Sequence, residues 1–145
     1  MPAPEVHGLV DTGAMVAILD RSDEWHGPCV ETLSSLRLPF ATTAAVLAEL
    51  FHMVGDDPNG IGAAWAFLRS GAVVVAPVDE RDLPGLEVLM KRYADRPMDF
   101  ADATLVHLAE RESLATVFTT DHDDFETYRI GKRGRFRIVP GRKRP

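Results

Sequence analysis

Short apolar runs alternate with longer helix-forming stretches along the whole chain. The runs fall at residues 6–10, 38–41, 72–76, 115–119 and 136–139. Helical stretches are predicted at 14–19, 23–36, 43–54, 61–69, 79–93 and 97–112. Strand and helix in this order favour an α/β fold with a mainly parallel sheet, because each helix returns the chain to start the next strand. The expected architecture is a three-layer α/β/α sandwich. The run AVVVA at 72–76 reads as a strand covered on both faces. The run at 136–139 reads as an edge strand. Thr42 or Thr43 is placed to cap the helix that follows the second run.

At 145 residues the chain is expected to form one domain, 1–145. That length buries a core without metal or disulfide staples. Its single cysteine, Cys29, forms no internal disulfide and reads as a small buried hydrophobe. No apolar run reaches the length of a membrane span, and the first residues lack the pattern of a signal peptide. The expected location is the cytoplasm, with no membrane partner.

Charge is unevenly distributed. Residues 1–128 hold all 22 acids and 8 of the 16 Lys and Arg residues, a balance of −14. Residues 129–145 hold the other 8 basic residues and no acid. A basic tail of this kind either follows a phosphate backbone or is simply solvated.

Parallel strands bring distant residues together, because ligands bind outside the carboxyl ends of such sheets. Asp11 follows the first run and Asp121 follows the fourth. Asp99 and Asp102, three apart, share one helix face. Glu49 lies at the edge of an apolar helical stripe. Each has a plain structural reading too: Asp99 as an N-cap, Asp102 as a first-turn acid, Glu49 as a solvated flank. Converged carboxylates repel one another, and hard divalent cations choose such oxygen ligands. Asp79, Glu80 and Asp82 are expected to decorate a helix start, and Asp123, Asp124 and Glu126 to form a solvated face or turn. The histidines show no zinc spacing.

Two motifs mislead. The string LVDTGA looks like the active-site motif of retroviral-type aspartic proteases, which are all-β, whereas long helices follow here. Haloacid-dehalogenase phosphatases carry a second Asp two residues after the first, and position 13 is Gly.

Taken together, VDTGAMVAILD, a Glu in an Ala- and Leu-rich helix, PMDFADATLVHLAE and VFTTDHDDFETYR resemble the PIN-domain ribonucleases, particularly the VapC-type toxins of toxin–antitoxin pairs. The resemblance runs from residue 10 to about 129. It implies a metal-dependent endoribonuclease with Asp11, Glu49, Asp102 and Asp121 as the four acids and Asp99 as an extra one. Thr12 and Thr119 match hydroxyl positions beside the first and last acids. It further implies Mg2+ or Mn2+, an RNA substrate, a cognate antitoxin and a homodimer. Basic side chains among residues 129–137 are candidates for contacts to the RNA backbone. Two alternatives remain open: a non-catalytic PIN-like RNA- or protein-binding module, and a DNA-directed, structure-specific nuclease.

Overall fold

The computed structural model describes residues 5–143. The outermost parts of the expected domain and of its basic tail, residues 1–4 and 144–145, lie outside them. Among the described residues, five strands form one sheet: β1 (Leu9–Val10), β2 (Phe40–Thr42), β3 (Val73–Val75), β4 (Thr116–Phe118) and β5 (Arg137–Val139). Their order is β3-β2-β1-β4-β5, and every pairing is parallel. Seven α-helices among the same residues accompany the sheet: α1 (Thr12–Leu19), α2 (His26–Ser35), α3 (Ala44–Val54), α4 (Pro58–Leu68), α5 (Leu83–Arg92), α6 (Phe100–Glu112) and α7 (His122–Thr127). The result is the expected three-layer α/β/α sandwich.

Local chemistry sets the boundaries. Thr43 caps α3, its hydroxyl accepting from the Val46 amide at 3.4 Å. Gly55 closes that helix at φ 73°, a conformation that glycine adopts without strain. Asp57 caps α4 and Pro58 occupies its first position, where no amide hydrogen is needed. The start of α6 is delayed to Phe100, because Asp99 is its cap.

The core fills the space between sheet and helices, with Leu9, Met15, Leu50, Leu105, Leu108, Val117, Phe118 and Phe125 fully buried. Cys29 is buried as expected. Several expectations need correction. The helix expected from residue 14 begins two residues earlier, with Thr12 and Gly13 in the first turn of α1. The helix expected from residue 23 begins three residues later, as α2 at His26. The valine run of β3 is an edge strand, and Val75 is 49% exposed, so that run is not covered on both faces. The segment from His122 to Thr127 is a helix. Asp82 is buried rather than decorative: it accepts from the Asp79 amide, His107 and Arg111, and these contacts hold its carboxyl well below the usual range, at about 2. The edge strand expected near residue 138 is present as β5. Among the described residues, no helix is long and apolar enough to cross a membrane.

Candidate active site

Parallel strands point their carboxyl ends the same way, so the helices that follow them begin at one end of the sheet. Asp11 is the residue after β1 and the N-cap of α1. Asp121 follows β4 and caps α7. Asp99 caps α6, accepting from the Asp102 amide at 2.8 Å. Three helix N-termini, each with its partial positive charge, therefore bear on the acidic residues.

Asp11 and Asp102 are the buried members, 7% and 8% exposed. Asp11 is held by both oxygens: Oδ1 accepts from the Thr12 amide at 2.8 Å, and Oδ2 from the Thr119 hydroxyl at 2.9 Å. Thr119 in turn accepts from the Asp121 amide at 3.0 Å, linking the ends of β1 and β4 through one hydroxyl. Burial raises the Asp11 carboxyl to about 6 despite these hydrogen bonds, and the charges of Glu49 and Asp121 add to the rise. Burial also dominates at Asp102, which is raised to about 8, with the Asp11 charge the next cause. The Tyr128 hydroxyl donates to Asp102 Oδ2 at 2.7 Å.

Glu49, Asp99 and Asp121 lie around this pair. Glu49, on α3, is half-buried, and its carboxyl is raised by burial and then by the Asp99 charge. The Thr12 hydroxyl lies 3.4 Å from both Glu49 Oε1 and the Val46 carbonyl. Asp121 is exposed, and its carboxyl is also raised, first by desolvation. Mutual electrostatic influence thus links all five expected acids, and both expected threonines touch them. The capping reading of Asp99 is also correct, and a carboxylate oxygen that caps a helix keeps lone pairs for another partner.

The donor set suits a hard cation. Among the described residues, no three acidic, histidine or cysteine side chains converge tightly enough to enclose an ion by themselves. Mg2+ asks for less: it usually takes one or two carboxylates and retains several waters. Two buried, mutually repelling carboxylates meet that need, and Asp102 Oδ1 accepts no hydrogen bond from the described residues.

Tyr128 escaped the sequence reading. It lies in the FETYR segment, and an aromatic in such a segment reads as core packing until its hydroxyl is seen on Asp102. Asp124 escaped as well: its amide donates to Asp121 Oδ1 at 3.1 Å, and its charge adds to the rise at Asp102. The basic residues Lys132, Arg133 and Arg135 lie in the turn before β5, at the amino end of the sheet. They are therefore at the opposite end from the acids.

The fold and the acids define a parallel α/β domain with a carboxylate site at the carboxyl ends of its central strands. The chain belongs to the PIN-domain family, whose model matches residues 8–131. It is 29% identical over 135 residues to Ribonuclease VapC26 of Mycobacterium tuberculosis (strain ATCC 25618 / H37Rv), covering 91% of this chain and 99% of that protein. Its fold is similar to the crystal structure of Mycobacterium tuberculosis VapC20, a sarcin–ricin loop cleaving toxin. The TM-score is 0.71 at 23% identity, over 79% of this chain and 90% of that one.

Proposed function

We propose that the protein is a metal-dependent endoribonuclease acting as the toxin of a toxin–antitoxin pair. The observation that carries this reading is the buried Asp11–Asp102 pair at the sheet's carboxyl end in a PIN domain. The likeness to a curated ribonuclease over nearly its full length supports it.

Asp11 and Asp102 would hold a Mg2+ or Mn2+ ion, with Glu49, Asp99 and Asp121 around it. The chemistry such an ion supplies is neutralisation of the phosphate and acidification of the attacking water. The chain's own residues do the positioning. Thr12 and Thr119 fix both oxygens of Asp11, and Tyr128 fixes one oxygen of Asp102 and leaves the other open. Glu49 and Asp121 are the candidates to orient or deprotonate the water. Their raised carboxyl pKa values make either a better base than an ordinary carboxylate. The same reading implies action in the cytoplasm, an antitoxin that blocks the site, and a homodimer.

Incubating the purified protein with a pool of cellular RNAs tests the reading. Discrete cuts in Mg2+ or Mn2+, absent with EDTA and absent in Asp11→Asn, are expected. Cutting that survives EDTA, or equal activity in the variant, would refute it. Binding without cutting would favour the non-catalytic module, and preference for flap DNA the structure-specific nuclease.

A further inference from the structure

An acidic site must take in a polyanion, so the cations nearest to it decide how RNA is held. The turn carrying Lys132, Arg133 and Arg135 is remote from the acids. The Gly131 amide donates to Glu110 Oε1 at 2.9 Å, and Glu110 lies near the far end of α6. Eight residues of helix separate Glu110 from Asp102, about 12 Å. At the carboxyl end, Arg142 is held by Glu126 at 2.9 Å and by Asp123, and Lys143 sits 4.5 Å over the Trp25 ring.

Arg96 is placed differently. It lies three residues before Asp99, in the connection from α5 to α6. Its Nη2 donates to Asp124 Oδ1 at 3.0 Å and its Nη1 to Thr127 Oγ1 at 2.8 Å. Asp124 is the residue whose amide is bound by Asp121 and whose charge reaches Asp102. The guanidinium is thus tethered to α7 at the edge of the carboxylate site, and the side chain is 47% exposed. Those two bonds use two of the five N–H donors of an arginine. A planar fork held in place keeps three donors for a phosphate and loses little further side-chain freedom on binding one.

We propose that Arg96 grips an RNA phosphate beside the cleavage site, with Asp124 and Thr127 holding it ready; this rests on the endoribonuclease reading. Arg96 is accordingly a substrate-binding residue and not a member of the metal site.

The test is binding of a fluorescent single-stranded RNA of mixed sequence, measured by anisotropy in Ca2+ across a salt series. The phosphate contribution is independent of sequence, so no knowledge of the true target is needed. Arg96→Ala is expected to weaken binding about three- to tenfold and to reduce the log–log salt slope by about 0.7, the value for one contact to a single strand. Arg96→Lys is expected to fall between, because it keeps the charge and loses the fork. Arg133→Ala, at the far end of the sheet, is expected to change neither quantity. Mn2+ affinity, measured without RNA, is expected to be unchanged in Arg96→Ala. Unchanged RNA binding in Arg96→Ala, or a loss of Mn2+ affinity large enough to explain the effect, would overturn the proposal. If the wild type binds this RNA but cuts no RNA of the cellular pool, the nuclease reading fails while the binding series still decides Arg96. If the wild type does not bind RNA, both fail.

Discussion

Replacing Asp102 with Asn should make the metal-free protein more stable while removing its metal site. Asp102 is 8% exposed, and burial together with the Asp11 charge raises its carboxyl from 3.8 to about 8. The folded state therefore binds a proton that the unfolded state releases. Stability from this residue is complete below pH 3.8 and is lost as the pH rises through about 8. At pH 7 the loss amounts to at most about 4 kcal/mol, from about 1.36 kcal/mol for each pKa unit between 3.8 and 7. Asparagine has no charge to desolvate and can still accept from Tyr128, but its amide hydrogens must find partners, at a cost of about 1–3 kcal/mol. The net gain expected at pH 7 in EDTA is about 1–3 kcal/mol, shrinking to near or below zero at pH 4.5. Urea unfolding at the two pH values measures it. Adding Mn2+ should reverse the order, because binding stabilises only the protein that keeps the site. Equal destabilisation at both pH values in EDTA would show that Asp102 is not raised by burial in the folded protein.

Three further substitutions probe the supports of the site. Tyr128→Phe removes the hydroxyl 2.7 Å from Asp102 Oδ2 and is expected to weaken Mn2+ binding about tenfold or more, as losses of partners to metal ligands do; a calorimetric titration reads it. Thr119→Val breaks the hydrogen bonds to Asp11 and from the Asp121 amide and should cost about 1–3 kcal/mol in urea unfolding, with RNA cleavage reduced at least tenfold. Gly13→Val drives a side chain into Thr120 Oγ1, where α1 meets the turn after β4, and should cost about 1–3 kcal/mol and slow cleavage by spreading Asp11 from Asp121.

The parts of this molecule that were legible in the sequence are those with strong local signals. Short apolar runs marked β1, β3 and β4, and an acid at or just past the end of such a run marked Asp11 and Asp121. The parallel order then put both at one sheet end. What was not legible depends on contacts between distant segments. The six residues of α7 are too few to display a helical period, and their three acids resemble a solvated turn. The exposure of Val75 follows from strand order, which a valine run does not encode. Tyr128 and Asp102 are 26 residues apart, and only the tertiary fold brings the hydroxyl just past α7 to the carboxylate on α6. The remoteness of the turn before β5 likewise follows from topology: a basic stretch close in sequence to Asp121 is carried to the other end of the sheet.

The proposed chemistry depends on Asp11 and Asp102 together holding a divalent cation. Calorimetric titration of Mn2+ into the wild type, Asp11→Asn and Asp102→Asn at pH 7.5 tests it most directly. Saturable binding to the wild type is expected, with its loss in both variants, each still folded by circular dichroism. Binding of equal strength in all three proteins would contradict it.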